Sequence, residues 1–123
     1  MLPQTPPFRF VDRLLERDPP RRCVTLKIFS AGEPLLRGEE RVPFSLVMEA
    51  LCQSAAFLAP DGVSGQGRIL RVDQAEMTGA VRAGDALRIT STLVEESAAA
   101  LKAESLGEME GKLVARLQVL VAR

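Results

Sequence analysis

One carboxylate in an otherwise apolar stretch is the first candidate for chemistry in this sequence. Glu49 lies within residues 41–60, RVPFSLVMEALCQSAAFLAP. In a helix it would form one narrow polar stripe with Ser45 and Gln53, which lie four residues before and after it. The rest of the stretch is apolar on almost every side, which is typical of a helix buried inside a domain. A buried carboxylate is unfavourable unless it is satisfied or used, so Glu49 is a candidate binding or catalytic residue.

Proline and small polar residues mark both ends of this predicted helix. Pro43 suits the first turn, where its missing N–H group would have no partner, and Ser45 is an alternative capping residue. Pro60, Asp61 and Gly62 then end the helix.

The composition excludes several kinds of chemistry. The chain has no histidine, which rules out Ser-His-Asp and Cys-His triads, histidine metal sites and histidine proton shuttles. Cys23 and Cys52 are the only cysteines, and we expect both to be reduced and buried. Two cysteines cannot form a structural zinc site, so we expect neither a metal nor a cofactor.

Length and charge indicate a single soluble domain. At 123 residues the chain can bury a core without disulfides or metals. Its 16 basic and 16 acidic residues leave no overall field that would attract nucleic acid or anionic lipid. The first residues contain no apolar leader, and no stretch of 18 apolar residues is free of charge. We expect a cytoplasmic protein with no membrane and no nucleic-acid partner.

Outside the predicted helix, the chain mostly shows the two-residue periodicity of β-strands. Residues 10–17 are predicted as either a short helix or a strand with a bulge. Strands are predicted for residues 22–29, 68–78, 86–96, 98–106 and 112–122, the last with Leu113, Ala115, Leu117, Val119 and Val121 on one face. Residues 30–40 and 61–67 are predicted loops.

This order of elements predicts an α+β fold. It consists of strands, one buried helix and then a meander of about four strands. A single antiparallel sheet has one apolar face to cover, and one apolar helix could cover it. A sheet curled around a central helix meets both needs. We therefore predict a single hot-dog domain over residues 1–123.

Several segments resemble, in the same order, motifs of the beta-hydroxyacyl-acyl-carrier-protein dehydratase (FabZ-like) family. The opening LPQTPPFRFVDRLLERDPPRR is similar to that family's LPHRYPFLLVDRV-type start, and EPLLRG at 33–38 is similar to its NEPFFQG loop. MEALCQSA at 48–55 resembles its VEALAQAA helix, and VRAGDAL at 81–87 resembles its V-x-PGD-x-L turn. The closing GKLVARLQVLVAR resembles its last strand. The resemblance covers nearly the whole chain.

The resemblance implies a hot-dog dimer whose two sheets join edge to edge. It implies an acyl chain on a phosphopantetheine arm, bound in a tunnel at the dimer interface. Members of the family remove water with a histidine from the loop before the helix of one subunit and a glutamate from the helix of the other. Glu49 matches that glutamate, and Gln53 matches the family glutamine on the same helix face.

The chain departs from the family in the loop before the helix. The family has G-H-F-P there, whereas Gly38 is followed by Glu39-Glu40-Arg41 in this sequence. The family's P-G-x-P-V-M-P-G run, whose glycine N–H helps to polarise the thioester carbonyl, is shortened to residues 42–45. Gly38, Phe44, Ser45 and Gln53 are nevertheless candidate substrate-binding residues.

Each candidate residue also has a structural interpretation. Glu49 could be a buried carboxylate satisfied by backbone N–H groups, Ser45 or a dimer partner. Glu39 could pair with Glu49 as acid and base, or belong to a solvated turn. The Ser45 hydroxyl could contact an oxyanion or cap the helix, and Cys52 lacks any feature that would lower its pKa. The last candidates are arginines that could pair with an acidic carrier protein or a coenzyme A phosphate, or simply be solvated: Arg9, Arg37, Arg41 and Arg71.

Three functions remain open at this point. The first is an atypical or accessory dehydratase for acyl-carrier-protein-bound intermediates of fatty acid or polyketide-like synthesis, without the histidine-dependent chemistry. The second is a thioesterase that uses Glu49 as base or nucleophile. The third is a non-catalytic binding or structural partner. The expected partners are an acyl-carrier protein or coenzyme A thioester, and either a second copy of this chain or a histidine-containing hot-dog chain.

Overall fold

The computed structural model of the protein describes residues 13–29, 41–59 and 68–123. In these ranges one helix and six strands follow in the order β1 (Arg13–Asp18), β2 (Arg22–Ile28), α1 (Phe44–Ala56), β3 (Ile69–Met77), β4 (Ala86–Glu96), β5 (Ala100–Met109) and β6 (Lys112–Ala122). The strands form one antiparallel sheet in the order β1-β2-β4-β5-β6-β3, and α1 packs on one of its faces. The predicted α+β architecture of one antiparallel sheet and one helix is confirmed.

Alternating burial explains why the sheet has one apolar face. In β4, Leu87, Ile89 and Ser91 are buried, whereas Ala86, before Leu87, and Arg88, between Leu87 and Ile89, are exposed. The same alternation in the other strands directs buried side chains towards α1, and with the buried side of the helix they form the core. These strand residues are Cys23, Leu101, Ala103, Leu117, Val119 and Val121. The core therefore lies between the helix and the sheet.

The helix α1 begins after a proline rather than after a side-chain cap. Pro43 is the N-cap residue with extended backbone angles, φ −60° and ψ 148°, and no side chain caps the helix. Ser45 lies within the first turn, so its predicted role as a capping residue is wrong. The helix ends at Ala56, and the Phe57 N–H donates to Ser54 O to close the last turn. The predicted stop at residues 60–62 lies outside the described residues.

The strand β3 does not continue into a meander with β4, which corrects the predicted strand order. It pairs with β6 at the far edge of the sheet. After β3, the N–H groups of Thr78 and Gly79 both donate to Val114 O, at 2.8 and 3.2 Å, so the chain turns across the start of β6. It then reaches β4 on the other side of the β5–β6 hairpin. Only β4, β5 and β6 form a meander.

The predicted inward face of β6 needs one correction. Leu113 is exposed, whereas both Val114 and Ala115 are buried. The β5–β6 register shifts between Gly107 and Glu108, so that β6 has one extra residue at this point. Such a bulge reverses the alternation of side chains beyond it.

The remaining predictions concern the strand ends and loops. β1 is a strand whose pairing with β2 shifts between Leu14 and Glu16, which confirms the strand with a bulge over its described part. The strand predicted for residues 98–106 runs instead from Ala100 to Met109. The predicted loops at 30–40 and 61–67 lie outside the described residues.

Candidate functional site

The polar stripe of α1 lies on the side of the helix that faces away from the sheet. Ser45 and Glu49 are exposed and Gln53 is half-buried, while Val47 and Leu51 are buried against the strands. The helix is therefore not buried on every side. The interpretation of Glu49 as a buried carboxylate is wrong for the single chain, because one sheet covers only one face of α1.

A cleft opens at the N-terminal end of α1. It has a volume of about 460 Å³ and is lined by Arg41, Val42, Pro43, Phe44, Met77, Gly79 and Ala80. The Val42 N–H donates to Val81 O at 2.8 Å, and Arg41 forms a β-bridge with Arg82. These bonds attach the segment before the helix to the loop before β4. The cleft therefore joins the end of β3 to the start of the helix that carries Glu49.

Backbone N–H groups point towards this end of the helix. The first N–H groups of an α-helix have no partner within it, and in α1 the bonds begin with the Leu46 N–H donating to Pro43 O at 3.1 Å. No acidic residue lies in the first turn. The N-terminus of a helix attracts negative charge, so the start of α1 can accommodate a carbonyl or anionic oxygen.

Both cysteines are free and buried, as expected. Burial, together with the nearby carboxylate of Glu49, raises the pKa of the Cys52 thiol to about 12. Burial also raises the pKa of the Cys23 thiol to about 11, although hydrogen bonds with Ser54 and Ser91 oppose the shift. A thiol with a raised pKa is protonated at neutral pH and is a poor nucleophile. Neither cysteine is suited to nucleophilic catalysis.

The described residues include only some of the predicted site residues. Glu39 and Gly38, like Arg9 and Arg37, lie outside the described residues, so the Glu39–Glu49 pair remains a prediction. Arg41 lines the cleft. Arg71 is exposed on β3, and its Nε donates to Asp73 Oδ2 at 3.0 Å.

Comparison with known proteins identifies the family. No model of a protein family matches the chain. The chain is 31% identical over 130 residues to the 3-hydroxyacyl-[acyl-carrier-protein] dehydratase FabZ of Anaeromyxobacter sp. (strain K), and the match covers 98% of this chain and 83% of that protein. The chain belongs to the FabZ family.

Solved structures confirm the hot-dog fold of this FabZ-family chain. The dehydratase heterocomplex ApeI:P from Xenorhabdus doucetiae superposes with a TM-score of 0.80 at 15% identity, over 99% of this chain and 87% of that one. A hypothetical thioesterase protein with coenzyme A from Streptococcus pneumoniae TIGR4 superposes with a TM-score of 0.72 at 12% identity, over 89% and 83% of the two chains. These likenesses concern the fold.

The FabZ-family chain also has buried polar side chains that sequence reasoning missed. Thr25, Ser54, Ser91 and Ser105 are fully buried between α1 and the sheet. Lys27 is buried as well, with its Nζ 5.2 Å from the centre of the Phe29 ring, close enough for a cation–π contact. The available signal for the strand residues was their position: the two-residue alternation of β2, β4 and β5 places Thr25, Ser91 and Ser105 on the inward face.

The described part of the FabZ-family chain contains neither a cluster of metal-ligating side chains nor a helix that could span a membrane. Within residues 13–29, 41–59 and 68–123, no three histidine, cysteine, aspartate or glutamate side chains cluster as metal ligands would. The helix found in these ranges is too short to cross a membrane.

Proposed function

We propose that this chain binds acyl thioesters carried by an acyl-carrier protein or coenzyme A, as an atypical or accessory dehydratase without the histidine-dependent chemistry of its family. One observation carries the proposal. Glu49, at the position of the family's helix glutamate, is exposed on the free face of α1 in a chain that has no histidine. Dehydration needs a base for the alpha proton and an acid for the leaving hydroxyl, and Glu49 alone supplies one of the two.

The cleft at the start of α1 supports this proposal with a place for the thioester. Phe44 is half-exposed and Met77 lies across from it, so both offer apolar surface to an acyl chain. The N–H groups of the first helical turn would donate hydrogen bonds to the thioester carbonyl oxygen. Ser45 and Gln53, on the same side of the helix as Glu49, would contact the substrate beside the reacting carbons.

The exposed edge of the sheet supports a partner subunit. β3 is an edge strand, and its Leu70 and Val72 side chains are 45% and 42% exposed. An uncovered edge strand with apolar side chains is a surface that pairs readily with another chain. We propose that β3 joins either a second copy of this chain or a histidine-containing hot-dog chain, and a heterocomplex among its structural neighbours is consistent with the second arrangement.

Hydrolysis of the thioester is the second candidate reaction. It requires one base or nucleophile rather than an acid–base pair, and the exposed carboxylate of Glu49 meets that requirement without a histidine. A third candidate, a non-catalytic partner that only binds acyl chains, needs no reaction at Glu49.

A turnover assay distinguishes these functions. The purified protein would be given beta-hydroxyacyl, enoyl and saturated thioesters of coenzyme A and of acyl-carrier protein, while thiol release and enoyl absorbance are followed together. Release of thiol would establish hydrolysis and contradict the dehydratase proposal. A change in enoyl absorbance by the chain alone would show that another group replaces the histidine. If neither signal changes, substrate binding and restored dehydration on adding a histidine-containing hot-dog chain would support the accessory subunit.

A further inference from the structure

Four buried hydroxyl groups connect the helix to three strands of the sheet. Ser54, on α1, is at the centre: Thr25 Oγ1 on β2 donates to Ser54 Oγ at 2.9 Å, and Ser91 Oγ on β4 donates to the same oxygen at 3.1 Å. All of these side chains are fully buried. We refer to Thr25, Ser54, Ser91 and Ser105 as the Ser54 network.

The network continues to a second point on the helix. Ser91 Oγ lies 2.6 Å from Ser105 Oγ on β5, and the single hydroxyl proton of Ser105 is donated either to Ser91 Oγ or to Leu51 O, which lies 3.1 Å away. Cys23 Sγ on β2 also donates to Ser54 O at 3.0 Å. Thus β2, β4 and β5 all bind one turn of α1, at the Ser54 side chain and at the backbone carbonyl groups of Ser54 and Leu51.

The network restricts the rotation of α1 more narrowly than the apolar contacts do. Leu51 of α1 packs beside Gly107 of β5, and Ala50 and Ala55 are also buried. Burial of apolar side chains is a non-directional source of stability, so it tolerates small rotations of the helix. Hydrogen bonds are directional, and a buried hydroxyl that loses its partner is unfavourable. In the described ranges no buried side-chain nitrogen or oxygen lacks a partner, so a rotation would break a fully satisfied network.

We infer that the Ser54 network sets the rotation of α1 about its axis and thereby the direction in which the Glu49 and Gln53 side chains point. At about 100° per residue, Glu49 lies about 140° from Ser54 around the axis, and Gln53 about 100°. Holding the Ser54 side against the sheet therefore directs the polar stripe away from it. Ser54 is a positioning residue. The inference rests on the proposed function only in giving Glu49 and Gln53 a role.

The two native cysteines provide a test that needs no substrate. Cys52 lies on α1 next to Gln53, whereas Cys23 lies on β2 and does not move with the helix. Cys52 is only 7% exposed and moves with α1, so a rotation can hardly bury it further and would increase its labelling. Cys23 is fully buried on the sheet beneath α1 and stays covered until the domain unfolds, which would expose both cysteines. The rate of alkylation by iodoacetamide at each cysteine, measured by mass spectrometry, therefore separates the two events.

The decisive variant removes every hydroxyl at once: Thr25→Val, Ser54→Ala, Ser91→Ala and Ser105→Ala. It leaves no buried hydroxyl unpaired, so a purely structural role predicts a folded domain with wild-type labelling. We expect alkylation of Cys52 to be about tenfold faster with Cys23 unchanged, since tenfold corresponds to the loss of roughly one net hydrogen bond. Unchanged labelling of Cys52, or an equal increase at both cysteines, would overturn the inference.

A single substitution keeps the test decisive if the fourfold variant does not fold. Ser105→Ala removes the hydroxyl that contacts Leu51 O but retains both donors to Ser54, and we expect a smaller increase confined to Cys52. An increase shared with Cys23 would contradict the inference. Thioester turnover or binding is then measured on the same variants. Faster Cys52 labelling with unchanged turnover and binding would support the positioning role of Ser54 and contradict the proposed role of Glu49, so the two proposals can fail separately.

Discussion

Arg17 of β1 binds the C-terminal end of α1 and the turn that follows it. Its Nε donates to Phe57 O at 2.8 Å, and its Nη2 donates to Ala59 O at 3.0 Å. The last carbonyl groups of a helix have no partner within it, and they carry partial negative charge. The half-buried guanidinium of Arg17 pairs the carbonyl group of the C-cap residue Phe57 and that of Ala59 in the turn beyond the helix. This contact connects the first strand of the sheet to the helix that carries Glu49.

The Arg17 contact should contribute measurably to stability. We expect Arg17→Ala to lower the free energy of unfolding by about 2 kcal/mol, because it removes two hydrogen bonds from a charged donor and leaves carbonyl groups unpaired. Urea unfolding followed by circular dichroism measures the change. Arg13→Ala, an exposed substitution at the start of the same strand, is the control and should be nearly neutral. Equal effects of the two substitutions would show that the helix end does not depend on Arg17.

Glu49 can be tested without disturbing the fold. Because Glu49 is exposed in the single chain, Glu49→Gln should change the free energy of unfolding by less than about 0.5 kcal/mol. If Glu49 takes part in the reaction, the same substitution should abolish thioester turnover while acyl binding persists. The control is Glu95→Gln, another exposed glutamate, on β4. Turnover that survives Glu49→Gln unchanged would remove Glu49 from the mechanism.

The buried thiols predict a loss of stability at alkaline pH. The pKa of Cys52 is about 12 and that of Cys23 about 11 in the folded chain, against an ordinary value of 9.0. Below pH 9 both folded and unfolded chains keep these protons, so the stabilisation is complete. As the pH rises above 9, the unfolded chain releases protons that the folded chain retains, and the free energy of unfolding must fall until the pH exceeds the folded pKa values.

The cysteine contribution can be isolated by substitution. Unfolding would be measured in urea from about pH 8 to about pH 11 for the wild type, Cys52→Ala and the double variant with Cys23→Ala. We expect the decrease with pH to become shallower with each cysteine removed, whatever the absolute stability of the variants. Identical slopes in all three proteins would contradict the raised pKa values. Glu49→Gln should lower the pKa of Cys52 alone, because the carboxylate contributes to its shift.

Much of the fold could be predicted because its strongest signals are local. β4 and β6 have the predicted bounds, 86–96 and 112–122, since inward and outward residues alternate over most of each strand. The pairing of β3 with β6 could not be predicted. It depends on the turn after Met77 and on two register shifts, one of them around Gln74, which has a positive φ of 52°. No periodicity in the sequence marks either feature.

The candidate site could be predicted only in part, for a similar reason. The spacing of Ser45, Glu49 and Gln53 placed them on one helix face. Which face of an apolar helix remains uncovered depends on which face packs against the sheet. The exposure of Glu49 could therefore be seen only in the structure. The Ser54 network was missed because the position of an inward serine or threonine in a strand does not reveal which group it binds. Only the meeting of Thr25, Ser91 and Ser105 around Ser54 shows their role.

The close approach of Val114 should require a glycine at position 79. A Cβ atom at position 79 would lie 2.8 Å from Val114 Cγ1, a distance that forces one of them to move. We expect Gly79→Ala to lower the free energy of unfolding by about 1–3 kcal/mol through overpacking, and to narrow the cleft that Gly79 lines. Val114→Ala should relieve the clash. A double-mutant cycle measured by urea unfolding should therefore show favourable coupling, and additive effects would contradict the steric explanation.

The edge strand β3 provides the final prediction, which concerns association. If β3 pairs with a partner, Val72→Lys would place a charge in the joined sheet and should convert the assembly to a monomer, as measured by sedimentation velocity. Val94→Lys is the matched control, because Val94 is 54% exposed on β4, away from the sheet edge. Both substitutions add the same charge at an exposed valine, so a difference between them reports position alone. Dissociation by both variants, or by Val94→Lys only, would show that the interface is not the β3 edge.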